Sequence, residues 1–151
     1  MKKWRILLKL VYIAKGLNYK VSLLQGNPLN GEAGHYTDSY TGAKQGGYIK
    51  LYAVPYDIDA YIIVGCHEIG HIFERYHFNY LYNPIRVNKD TLKSELKASA
   101  FGLRLLKKLR YRAIKRAHRY LRQAYNGYLI AYKREIKIGA GRPLKALGGV
   151  L

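Results

Sequence analysis

The stretch Asp57-Ile58-Asp59-Ala60-Tyr61-Ile62-Ile63-Val64-Gly65-Cys66-His67-Glu68-Ile69-Gly70-His71 decides how the chain is read. From Ala60 to Cys66 it is apolar on every side, so a helix built from it has no solvent face and belongs inside the domain. Asp57 follows Pro55 and carries the short acceptor side chain favoured at a helix N-cap. Asp59 puts a carboxylate in the first turn, where the helix dipole favours it. The helix is expected to start near Asp57 and to run to about Tyr76. Two imidazoles and a carboxylate are costly to bury there without partners, which makes His67, Glu68 and His71 the first candidates for function.

His67-Glu68-Ile69-Gly70-His71 matches the His-Glu-x-x-His pattern of zinc metallopeptidases. Residues i and i+4 share a helix face one turn apart, so both imidazoles can reach one Zn2+ at about 2.0–2.1 Å. Glu68 lies about 100° round the axis from His67, off the ligand set but close enough to act on a water beside it. That is the place of a general base. The chemistry served by this spacing is amide hydrolysis: the ion brings a water pKa to about 7 and polarises the carbonyl, and the glutamate carries the proton to the leaving amine. With five His and five Glu in 151 residues, chance supplies roughly 0.005 such motifs per chain. The bland reading, satisfied core histidines without a metal, leaves Glu68 unexplained.

A catalytic zinc needs a third protein ligand, and His77, Asp90, Glu95 and His118 are the candidates downstream. His77 falls near the helix end, turned from the ligand face. Asp90 suits the N-cap of the next helix, and His118 sits among basic residues as a surface or stacking group. Glu95 is the better choice, because Ala98, Phe101, Gly102 and Leu105 on the same segment let it pack against the histidine-bearing helix, with Ala98 and Gly102 small enough for close approach.

Working outward, Trp4, Leu7, Leu8, Val11 and Ala14 recur at helical spacing over residues 4 to 16, and Gly16 can end that helix. Tyr19 to Leu24 alternates loosely as a strand, residues 25 to 46 read as a long glycine-rich loop, and Gly47 to Val54 alternates as a second strand stopped by Pro55. After a loop around Asn83-Pro84, a third helix is expected from Asp90-Thr91 through Leu106, and Lys107-Lys108 carries it on. The fold class is α+β: a small sheet of few strands packed against the histidine-bearing helix and a Glu-bearing helix, followed by basic helices. Residues 1–106 form the core, 107–138 a basic helical extension of the same single domain, and 139–151 a loose tail.

The chain of 151 residues is 49% hydrophobic, enough for one self-sufficient core, and its 27 Lys and Arg against 9 Asp and Glu give a net charge of +18. From Arg104 to Lys137 there are 12 basic residues and one acid, Glu135. Lys107, Lys108, Arg110, Arg112, Lys115, Arg116, Arg119 and Arg122 are interleaved with tyrosines and lack the acids of an ordinary solvated face. Two readings stand there side by side: polyanion binding, with DNA, RNA or an acidic protein as the partner, or a merely solvated basic surface. The lone Cys66 excludes an internal disulfide and fits a reducing compartment, so the cytoplasm is the default. Lys9 and Lys15 interrupt the N-terminal apolar run, against a signal peptide, and no stretch approaches the roughly 20 apolar residues of a membrane span.

Two segments resemble the ImmA/IrrE metallopeptidases, small gluzincin-like zinc proteases of phages and other mobile elements. His67-Glu68-Ile69-Gly70-His71 is similar to the family's HELGH, and Glu95-x-x-Ala98-x-x-Phe101-Gly102-x-x-Leu105-Leu106 to its E-x-x-A-N-x-F-A-x-x-L-L segment. The similar order of elements extends the likeness over roughly residues 4 to 106. It implies His67, His71 and Glu95 as zinc ligands, Glu68 as catalytic glutamate, and helix-turn-helix repressors as the substrate class. Ser99 stands for the family's asparagine and Gly102 for an alanine, changes that touch packing more than chemistry, and the Met-Pro that often follows Leu-Leu is replaced by Lys107-Lys108. The expectation is a zinc endopeptidase acting on a DNA-associated protein. The alternative is a nucleic-acid-binding or inhibitory protein on a metallopeptidase scaffold. A DNA-repair protease of the SprT-like sort would call for a histidine as third ligand.

Overall fold

The computed structural model describes residues 2–26, 31–37, 44–54, 57–73 and 87–140. In chain order the elements are α1 (Lys2–Gly16), β1 (Tyr19–Gln25), β2 (Gly31–Thr37), β3 (Lys44–Ala53), α2 (Ile58–Ile72), α3 (Lys89–Lys108) and α4 (Ile114–Ala140). Among the described residues this is an α+β architecture of four helices and one three-stranded mixed sheet.

The Asp57 side chain caps α2 by accepting the Ala60 N–H at 3.1 Å, and the helix ends at Ile72, with Phe73 donating its N–H to Gly70. Residues 74 to 76, where a longer helix was expected, lie outside the described residues, as does His77. Ile62, Ile63, Cys66 and Ile69 are fully buried, and full burial of each isoleucine contributes about 1.5–3 kcal/mol. One side of α2 rests on β3, whose alternate residues Ile49, Leu51 and Ala53 point into the core, and the other side meets α3. Helices α2 and α3 touch almost backbone to backbone. A Cβ on Gly70 would come within 2.6 Å of the Ala98 carbonyl oxygen, and one on Gly102 within 3.1 Å of the His67 nitrogen.

The sheet order is β1-β3-β2, with β1 parallel and β2 antiparallel to the central β3. Residues 25 to 46 are therefore not one long loop. Gly31–Thr37 forms an edge strand, and β3 begins at Lys44 rather than Gly47. The ladder to β3 supplies the order that the weak strand propensity of Gly31-Glu32-Ala33-Gly34 does not.

Helix α1 forms where its periodicity predicts, but on a rotated face. The buried side chains are Leu7, Leu10 and Ala14, while Trp4 and Leu8 are 52% and 54% exposed. Asn18, at φ 65°, turns the chain from α1 into β1. The N-cap of α3 is Asn88 and not Asp90: Asn88 and Thr91 form a reciprocal capping box, with the Thr91 N–H donated to Asn88 Oδ1 at 2.8 Å.

Lys107 and Lys108 carry α3 only two residues beyond Leu106. The helix stops at Lys108, and the chain turns through Arg110 in the left-handed conformation, φ 57°. The Tyr111 N–H returns to the Leu106 carbonyl and the Arg110 N–H to that of Lys107, the pairing of a Schellman turn, with Tyr111 and Leu106 both in the core. Ala117 and Leu121 of α4 join the same core, and α4 continues through Gly139 to Ala140, where a loose tail was expected. Residues 141–151 lie outside the described residues. No helix among the described residues is long and apolar enough to cross a membrane.

Candidate metal centre

His67 and His71 project from the last turns of α2, and Glu95 meets them from α3. Both histidines offer Nε2. His67 Nε2 lies 3.1 Å from His71 Nε2 and 3.1 Å from Glu95 Oε2, and His71 Nε2 lies 3.6 Å from Glu95 Oε1. Ligand atoms at about 2.0–2.1 Å on a tetrahedron sit about 3.3 Å apart, so the two ring nitrogens and the two carboxylate oxygens already bracket the spacing that one ion requires. Of the three candidates among the described residues, Glu95 is the one brought to the histidines. Asp90 and His118 are exposed on α3 and α4.

The far ring nitrogens are also engaged. His71 Nδ1 is 3.3 Å from Ser94 Oγ, and His67 Nδ1 is 3.2 Å from Ser99 Oγ, both serines standing on α3. With each Nδ1–H donated to its serine, both Nε2 lone pairs and the Glu95 carboxylate converge on one point. Three acceptors facing one another repel unless a cation stands between them, so the donor set fits a metal ion. Where the Nε2 positions carry protons instead, burial still works to raise the Glu95 pKa, but the hydrogen bonds and charges of His67 and His71 outweigh it and hold the carboxyl at about 2. Glu95 is thus a carboxylate at ordinary pH, able to serve a cation. Ser99 therefore does more than pack: it holds a histidine ring in place.

Glu68 sits beside this group, buried but outside it, and desolvation raises its pKa against the pull of both imidazoles. Gly31, at the start of β2, lies directly against its carboxylate, and any side chain there would collide with it. A small cleft of about 60 Å³ opens over His67, Glu68 and Glu95, with room for a few waters, and Leu121, Ala124 and Tyr128 of α4 form part of its wall. The described part of the basic extension thus faces the cleft with two apolar residues, Leu121 and Ala124, and two tyrosines, Tyr120 and Tyr128.

Residues not singled out from the sequence complete the picture. Ser94 and Ser99 share the α3 stripe of Glu95, Ala98 and Gly102, and polar residues recurring at helical spacing within a buried stripe were the available signal. Tyr128 and Gly31 gave none, being one of sixteen tyrosines and one of fifteen glycines. At the other end of α2, Asp59 is more than a dipole partner: it accepts hydrogen bonds from Lys3, Tyr111 and Arg116 at 2.8, 2.8 and 2.9 Å. The eight predicted polyanion-binding residues are all exposed, but Arg116 is committed to Asp59 and Asp57. Comparison of the chain with family models, with curated proteins and with solved structures finds no match to any of them.

Proposed function

We propose that the protein is a zinc-dependent endopeptidase of the ImmA/IrrE kind, with a DNA-associated regulator such as a helix-turn-helix repressor as its substrate class. The observation that carries this reading is the convergence of His67 Nε2, His71 Nε2 and the Glu95 carboxylate, whose Oε2 lies 3.1 Å from His67 Nε2 and whose Oε1 lies 3.6 Å from His71 Nε2, with buried Glu68 alongside. His67, His71 and Glu95 would hold the ion, which supplies Lewis acidity toward the scissile carbonyl and toward water. Glu68 acts as general base: it accepts a proton from the water that attacks the carbonyl carbon and delivers it to the amine nitrogen as the C–N bond breaks. Ser94 and Ser99 fix the imidazole rings. The α4 wall narrows the cleft.

Glu68→Gln keeps the volume of the side chain and removes the base. Cleavage of a peptide library, read by mass spectrometry, is expected to fall about 10²–10⁴-fold while one zinc per chain is still retained. Undiminished cleavage by this variant would exclude the mechanism. A second reading draws on the narrow cleft and on the charge of α4: a nucleic-acid-binding or inhibitory protein on the same scaffold. Zinc retention with no bond cut by the wild-type protein is the outcome that favours it.

A further inference from the structure

We propose that the solvent face of α4 is a nucleic-acid interface that grips the phosphate backbone without reading sequence. At about 100° per residue, Lys115, Arg119, Arg122, Lys133 and Lys137 fall within roughly 60° of one another round the helix axis. All five are exposed. They make a straight cationic stripe of about 33 Å at 1.5 Å per residue. Asn126 lies within it as a further donor, and Arg110 and Arg112, exposed in the turn before α4, add charge at one end. Leu121, Ala124 and Tyr128, which line the cleft, stand on the opposite side of the helix, as does Glu135, the one acid of α4. Arg116 falls outside the stripe and serves Asp57 and Asp59 instead.

The face is built for charge alone. A solvated helix face would mix in acids one turn away for pairing, and the stripe has none. A protein interface buries an apolar centre, but here the apolar residues stand at the two margins of the stripe, Ile130 on one side and Leu129 with Ile136 on the other, and cations hold its centre. A helix lying on a membrane would sink its apolar face into lipid, whereas Ala117 and Leu121 on the apolar face of α4 are buried in the core. A linear polyanion needs only a line of cations, and nucleic acid presents its charges along such a line. The inference rests on α4 and is independent of whether the cleft hydrolyses peptides.

The test is fluorescence anisotropy of the full chain with a labelled duplex of arbitrary sequence, titrated between about 50 and 200 mM salt. Five phosphate contacts give a log–log salt slope of about −4.5. Arg119→Gln/Arg122→Gln/Lys133→Gln is expected to weaken binding by about tenfold or more and to flatten the slope by about 3. Lys133→Gln/Lys137→Gln, both exposed and more than two turns beyond the buried Leu121, should flatten it by about 2 with the fold intact. Lys9→Gln/Lys15→Gln/Lys20→Gln removes the same net charge elsewhere and should change the slope by less than about 1. An equal loss from this control, or an unchanged slope in the stripe variants, overturns the proposal. So does stripe-dependent binding to phosphatidylserine vesicles or to poly-glutamate that exceeds binding to the duplex.

Discussion

The two ends of α2 solve the same problem in opposite ways. At the N-terminal end, buried Asp59 collects a lysine from α1, an arginine from α4 and the Tyr111 hydroxyl from the turn between α3 and α4. Donors surround one acceptor, and the chain closes the site with its own groups. At the C-terminal end, His67, His71 and Glu95 turn acceptors toward one point while serines hold the far ring nitrogens. A buried polar cluster whose donors and acceptors match ties elements together, and one whose acceptors converge on a point could hold a cation.

The largest break in this contrast is expected from Asp59→Ala. It strands the buried Tyr111 hydroxyl, while Lys3 and Arg116, each about half exposed, regain water, so the cost falls below that of a fully buried pair, at about 2–3 kcal/mol. Thermal melting should drop by about 5–10 °C, and zinc affinity measured below that temperature should not move. A fall in zinc affinity would show that the two ends are coupled. The same contact sets a pH dependence. Burial acts to raise the Asp59 pKa, but Lys3, Tyr111 and Arg116 together hold it below the usual value. The unfolded chain then binds the proton more readily, so this stabilisation is complete above about pH 4 and is lost as pH falls through the folded pKa. Acid melts of the wild type should show that loss, and Asp59→Asn should lack it.

Ser94→Ala and Ser99→Ala sharpen the contrast from the other end, with a smaller effect. Removing either hydroxyl frees an imidazole to rotate, and zinc affinity should fall about 10–100-fold, or about 1.4–2.7 kcal/mol, with the metal-free melting temperature nearly unchanged. Competition titration against a chelator checks this. If instead the metal-free protein loses stability and zinc affinity holds, the serines belong with Asp59 as scaffold.

What could be read from the sequence divides along the same line. His67, Glu68 and His71 are legible because helical geometry relates residues four apart, and the approach of Glu95 is legible because Ala98 and Gly102 mark where two helices meet closely. The Asp59 cluster joins residues 52 to 57 positions apart, and no local pattern announces it. Strand β2 is invisible for a related reason, since its order comes from the ladder to β3 and not from its own residues. The buried face of α1 was misplaced because Trp4 and Leu8 are apolar yet exposed, while Leu10 is the residue that packs.

The end of α3 was missed because the expected marker is absent, and that absence makes the smallest prediction. A Schellman turn needs a left-handed residue, for which glycine is the usual choice, yet here Arg110 occupies the position at φ 57°. The left-handed conformation costs a residue with a Cβ about 1 kcal/mol relative to glycine, partly offset because glycine has more freedom to lose on folding. Arg110→Gly should therefore raise stability by up to about 1 kcal/mol, a few degrees in melting temperature, without touching zinc affinity. A destabilised variant would mean that the arginine side chain holds the turn through contacts worth more than the strain, and α4 would then depend on Arg110 for its placement over the cleft.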